Sequence, residues 1–78
     1  SFDGRDEQAA AERGATVHAT LDQLKPDFRA VVVLRMLEGY STKETAALLE
    51  IAEGTVLSRL SRGMKQLETL LKDEMDLI

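Results

Sequence analysis

A chain of 78 residues makes one small domain at most, and a hydrophobic fraction of 44% is that of a folded chain rather than a disordered one. With no cysteine there are no disulfides or thiolate metal sites, and no apolar run approaches the roughly 20 residues of a membrane span or resembles a secretory leader. The formal net charge of −4 argues against a non-specific nucleic-acid binder, which is usually basic, and a soluble cytoplasmic protein is the default expectation.

Phe2, Phe28 and Tyr40 are the only aromatics, so the core must be built from Leu, Val, Ile, Met and Ala, which favours helices over a sandwich. Residues 1–11 mix charges with glycine and read as a linker or frayed terminus. A helical pattern runs from Ala9 to Leu24, with Val17, Leu21 and Leu24 spaced at four and three and its reliable part starting near Ala15. Lys25-Pro26 breaks it, because the residue before a proline avoids the helical region while proline suits a first helical turn. A second helix, "PDFRAVVVLRMLE", is expected to bury Phe28, Val31, Val32, Leu34 and Leu37 and to stop at Gly39. "STKE" at 41–44 matches a capping box, with Ser41 as cap and Glu44 reaching back, and opens a short third helix, "TKETAALLE". A tight connection, "IAEGT", leads into a long last helix from about Gly54 to Leu71. The fold class expected is all-α: a small four-helix domain with a C-terminal helix-turn-helix.

Ala46 and Ala47 are small where the last two helices should cross, and Ile51 with Val56 can close the core between them. On a wheel of about 100° per residue, Val56, Leu60, Gly63, Leu67 and Leu70 share one face of the last helix, with Met64 and Leu71 at its border. Thr55, Ser58, Arg59, Ser61, Arg62 and Lys65 fall opposite, and no carboxylate lies between Gly54 and Leu67. The acidic charge is partly segregated: residues 1–14 and 72–78 each sum to −2, while 54–71 sum to +2. Hydroxyls and long cations on one helix face suit a major groove, where arginine bonds guanine bidentately, and Gly54 permits close backbone approach at the helix start. The same face also reads as the solvated side of a surface helix, and the wheel alone does not separate the two.

Catalysis has no support, since no histidine–carboxylate pair, nucleophile elbow or phosphate loop is present, and no cofactor is expected. His18 has no second ligand at metal spacing and reads as a surface or boundary residue. The methionines Met36, Met64 and Met75 read as gap-filling or boundary residues.

Residues 21–71 closely resemble region 4 of bacterial sigma factors of the extracytoplasmic-function group. The resemblance is carried by "LKPDFRAVVVLRMLEGYSTKETAALL" and "EGTVLSRLSRGMKQL" in the family's order and spacing. It implies recognition of the promoter −35 element by a domain attached to RNA polymerase through the β-subunit flap. By that likeness Ser58, Arg59, Ser61 and Arg62 correspond to groove-facing positions, Thr42, Lys43 and Thr55 to phosphate contacts, and Lys65 lies on the same cationic face. An aliphatic surface on the first two helices and the end of the last would serve polymerase or a competing anti-sigma factor. Residues 12–72 would form the region 4 domain, and 73–78 an acidic, solvated tail. Three positions depart from the family pattern: Leu57 replaces a usual cation, Glu50 stands where a glycine commonly closes the third helix, and Gly63 replaces a usual alanine. Two other functions remain open: a response-regulator helix-turn-helix effector domain that dimerises, and a sigma-like module that binds an anti-sigma factor without touching DNA.

Overall fold

The computed structural model describes residues 17–76, with side chains through Asp73; the linker expected over 1–11 and the side chains of Met75, Leu77 and Ile78 lie outside them. The described part of α1 covers 17–22 and closes through Gln23 and Leu24, whose N–H groups donate to the carbonyls of Thr20 and Leu21 at 3.1 and 3.0 Å. Lys25 is extended (φ −56°, ψ 140°), as a residue before proline must be, and Pro26 opens α2, Pro26–Val32. Among the described residues there is no strand.

The last turn of the second helical rod widens into a π-helical turn, Val33–Leu37, marked by the Glu38 N–H donating to the Val33 carbonyl at 2.9 Å. Gly39 then takes the left-handed conformation (φ 77°), and the Tyr40 N–H returns to the Leu34 carbonyl at 2.9 Å. Arg35 reinforces this stop by donating to the Tyr40 carbonyl at 2.7 Å. The expected burial of this rod holds for Val31 and Val32, while Phe28 and Leu34 are half-buried. Leu37 is a correction: it is 55% exposed, at the end of the widened turn, whose changed hydrogen-bond register shifts it from the position a regular helix would give it.

Helix α3 spans Thr42–Leu49. Its capping box is complete: the Glu44 N–H donates to Ser41 Oγ at 3.0 Å and the Ser41 N–H donates to Glu44 Oε1 at 2.9 Å. Hydrogen bonding of the carboxylate by Ser41, first by its backbone N–H and then by its side chain, holds the Glu44 pKa below its ordinary value. The helix ends on Glu50 in the left-handed region (φ 56°, ψ 45°), with the Ile51 N–H bonded to the Ala46 carbonyl at 3.0 Å. A non-glycine residue there costs on the order of 1 kcal/mol.

Helix α4, Glu53–Asp76, is 24 residues long, or roughly 36 Å at 1.5 Å per residue, and runs five residues past the expected Leu71. It is the central beam of the fold, lying across α2 and α3. Two buried clusters share it. Leu21, Leu24 and Val32 pack with Val33, Leu60, Leu67 and Leu70; Val31, Ala46 and Val56 pack with Leu49, Ile51 and Leu60. Leu60 therefore belongs to both and joins the α1–α2 side of the core to the α3 side. Ala46 sits at the α3–α4 crossing as expected, whereas Ala47 faces solvent, one residue being about 100° of helix away. Where α2 crosses α4, a Cβ on Gly63 would stand 2.9 Å from Val32 Cγ2 and 3.2 Å from Phe28 Cβ. The absence of a side chain at 63 is what lets the two helices approach.

Candidate nucleic-acid interface

The helix-turn-helix is α3, the three residues Glu50, Ile51 and Ala52, and α4. Its angle is fixed from inside by Ala46, Ile51 and Val56, the last fully buried. That packing faces Val56 inward and so determines what α4 turns outward. Leu57, Ser58, Ser61, Arg62 and Lys65 are all exposed, with the one-three-one-three spacing of a single helical arc. Ser58 donates its hydroxyl to the Thr55 carbonyl at 3.1 Å, which fixes its rotamer and leaves the oxygen lone pairs outward as acceptors.

The remaining residues expected at this surface sit differently. Arg59 is half-buried and its Nη2 lies 4.0 Å from Asp27 Oδ2 in the first turn of α2. Thr55 is half-buried beside the core residue Val56. In the first turn of α3, Lys43 is exposed and Thr42 half-buried. The outward arc thus brings together Ser58, Ser61, Arg62 and Lys65, while Thr42, Lys43, Thr55 and Arg59 lie on its flanks.

The electrostatics of the arc follow from what is missing. No carboxylate lies between Glu53 and Glu68 on α4, so Arg62 has no acidic residue three or four positions away on its own helix, while Lys65 has Glu68 three residues on. Ala52, the residue before α4, has no side-chain oxygen to cap it; the Thr55 and Val56 N–H groups bond the Ala52 carbonyl at 3.0 and 3.1 Å. The N–H groups of Glu53 and Gly54 therefore have no capping side chain, and a Cβ at Gly54 would meet nothing within 4 Å. A helix start of this kind favours a phosphate. Farther along, Met64, Leu67 and Leu71 line an open groove of about 630 Å³ with Ser61, Lys65, Glu68 and Lys72 on its walls. Among the described residues no cluster of three or more His, Cys, Asp or Glu could hold a metal ion, and no helix is long and apolar enough to cross a membrane.

A short helical bundle whose exposed final helix carries hydroxyls and cations over an aliphatic core is the architecture of a helix-turn-helix domain. Residues 15–67 match the family described as "Sigma-70, region 4", and the chain belongs to that family, as region 4 of an extracytoplasmic-function sigma factor. It is 50% identical over 58 residues to the "ECF RNA polymerase sigma factor SigE" of Mycolicibacterium smegmatis, covering 74% of this chain and 23% of that protein. It is 39% identical over 83 residues to the "ECF RNA polymerase sigma factor SigX" of Bacillus subtilis, covering 94% of this chain and 43% of that protein. With "ECF RNA polymerase sigma factor SigM" of Mycobacterium tuberculosis the identity is 41% over 66 residues, 85% of this chain and 34% of the other. The chain thus spans less than half the length of each of these relatives.

Proposed function

We propose that this chain is the −35-recognition module of a sigma factor and contributes promoter selectivity while attached to RNA polymerase. The observation that carries the reading is the exposed, carboxylate-free arc of α4, held outward by Val56 on a helix-turn-helix. In this reading Arg62 bonds a base edge in the major groove, Ser58 accepts and Ser61 accepts or donates hydrogen bonds beside it, and Lys65 meets the backbone. Lys43 and Thr42, with Thr55 and the uncapped start of α4, flank the groove as phosphate contacts. Arg59 joins them on binding, because an ion pair at 4.0 Å to an Asp27 side chain that is 74% exposed is worth at most about 1 kcal/mol and yields readily to a phosphate.

The partners that follow are promoter DNA, the β-subunit flap of core polymerase and an anti-sigma factor, all met in the cytoplasm. Exposed Met36, Leu37 and Leu48, on elements other than α4, supply apolar surface for such protein contacts. No catalytic role is part of the reading. The region 4 unit would span residues 12–72; the family match covers 15–67, and α4 continues through Asp76 into the expected tail. Of the two other functions, the family match disfavours a response-regulator effector domain, and the exposed Arg62 and Lys65 disfavour a module that never meets DNA.

The test is promoter selection by the protein carrying this chain, reconstituted with core polymerase, as wild type and as Arg62→Ala. The variant should lose about 1–3 kcal/mol of discrimination at one −35 base pair. Unchanged −35 selection in the variant would sink the assignment, and tight anti-sigma binding with no −35 contact at all would favour the module.

A further inference from the structure

Five residues form the outward arc of α4, and four of them are polar or cationic; the fifth is Leu57, 55% exposed. We propose that Leu57 is a specificity-determining residue that reads a thymine through its C5-methyl group. The inference rests on the promoter-binding reading given above and goes beyond it by naming a base.

Position in the helix comes first. In a helix-turn-helix the N-terminal residues of the second helix approach the base edges, while residues farther along pass over the backbone. Leu57 is in the second turn of α4, next to Ser58 and one turn before Ser61, and both of those hydroxyl residues share its exposure. Its neighbour Val56 is fully buried, so the helix cannot roll to carry Leu57 into the core without exposing Val56. A side chain at 57 must therefore face whatever the helix enters.

Chemistry then selects the base. Leucine offers no hydrogen bond. Against a guanine O6 and N7, an adenine N6 and N7 or a cytosine N4, it would strip water from a polar edge and return nothing, which is unfavourable. The C5-methyl of thymine is the apolar feature of the major groove, and leucine over it buries apolar surface on both partners. A residue that carries no charge at 57 thus gains a means of choosing between bases.

The test uses the protein carrying this chain bound to core RNA polymerase, and the −35 element it prefers from a randomised duplex library. Each thymine of that element is replaced singly by deoxyuridine, which removes only the methyl group. At one position the wild type should lose about fourfold in affinity, the worth of one buried methyl-sized group. Leu57→Ala should bind the unmodified element about as weakly and be indifferent to deoxyuridine there. Because Leu57 is exposed, that variant keeps its core. Leu57→Lys serves as a second variant: it should lose the methyl response and gain a steeper salt dependence, by about 0.9 in the log–log slope. Deoxyuridine effects that are absent from the wild type, or identical in wild type and Leu57→Ala, would overturn the proposal. Arg62→Ala separates this from the underlying reading. If Arg62→Ala still loses discrimination at one −35 base pair, only the role of Leu57 fails; if it does not, the promoter reading fails as well.

Discussion

Gly63 illustrates how one residue sets the geometry of the whole interface. A glycine inside a helix costs roughly 1 kcal/mol relative to alanine, so helix propensity alone favours Gly63→Ala. The structure predicts the opposite sign. The added Cβ would meet Val32 Cγ2 at 2.9 Å and Phe28 Cβ at 3.2 Å, and neither atom is the free end of a flexible chain. Val32 is stiff at χ1 and 2% exposed, and Phe28 Cβ moves only with the α2 backbone. Overpacking of this kind costs about 1–3 kcal/mol, so the net change should be a loss of about 1 kcal/mol, read as a lower denaturant midpoint with unchanged slope. A gain in stability would mean that α2 can yield, and that the groove-facing angle of α4 is not fixed there. That the glycine faces the core is visible on the wheel; which α2 atoms it admits is not, because the crossing point depends on two helices at once.

At the scale of elements, the starts and stops were the most legible part of the sequence. Pro26, Gly39 and the Ser41–Glu44 box act within a few residues of themselves, and each appears where local chemistry places it. The π turn at Val33–Leu37 was not legible, and with it the exposure of Leu37, because no residue in "VLRML" announces a change of hydrogen-bond register. The lean of Arg59 toward Asp27 was hidden for a related reason: a wheel assigns an angle to the Cα but not a partner to a long side chain. The capping box carries a pH dependence that can be checked. Glu44 has a lowered pKa in the fold, so its ionised form stabilises α3 above the ordinary glutamate range, and that contribution is lost as pH falls through the lowered value. The thermal midpoint of the wild type should therefore drop more on acidification through this window than that of Glu44→Gln, which cannot titrate. Parallel acid limbs for the two proteins would show that the box adds no ionic stabilisation.

At the scale of the whole molecule, the puzzle is an acidic chain with an arc proposed to face DNA. Net charge describes the long-range field, whereas binding in a groove counts the phosphates actually neutralised. In the proposed reading, Lys65 on the arc with Lys43 and Arg59 beside it would make about three phosphate contacts, for which the log of affinity should fall with the log of salt at a slope of roughly −3. A slope near −8 would require cations that this arc does not present. In the proposed reading so shallow a dependence would leave the isolated module a weak binder, and attachment to polymerase would supply the missing affinity as effective concentration. The all-helical class and the two faces of α4 could be read from the sequence because a 3.6-residue period survives over the length of that helix. The division of the polar face into an exposed arc and half-buried flanks could not, since it depends on where α2 and α3 lie beside α4.

The central claim is that the outward arc of α4 is the surface that meets the −35 element. The most direct measurement places a photo-crosslinking side chain at Ser61 and, as a reference outside the arc, at Met36, in the protein carrying this chain bound to core polymerase and promoter DNA. Both positions are exposed, so neither replacement disturbs the core. Crosslinks from position 61 confined to −35 base pairs, with none from position 36, are the expected result. Crosslinks from position 36 to those base pairs, or none from position 61 while polymerase binding persists, would contradict it.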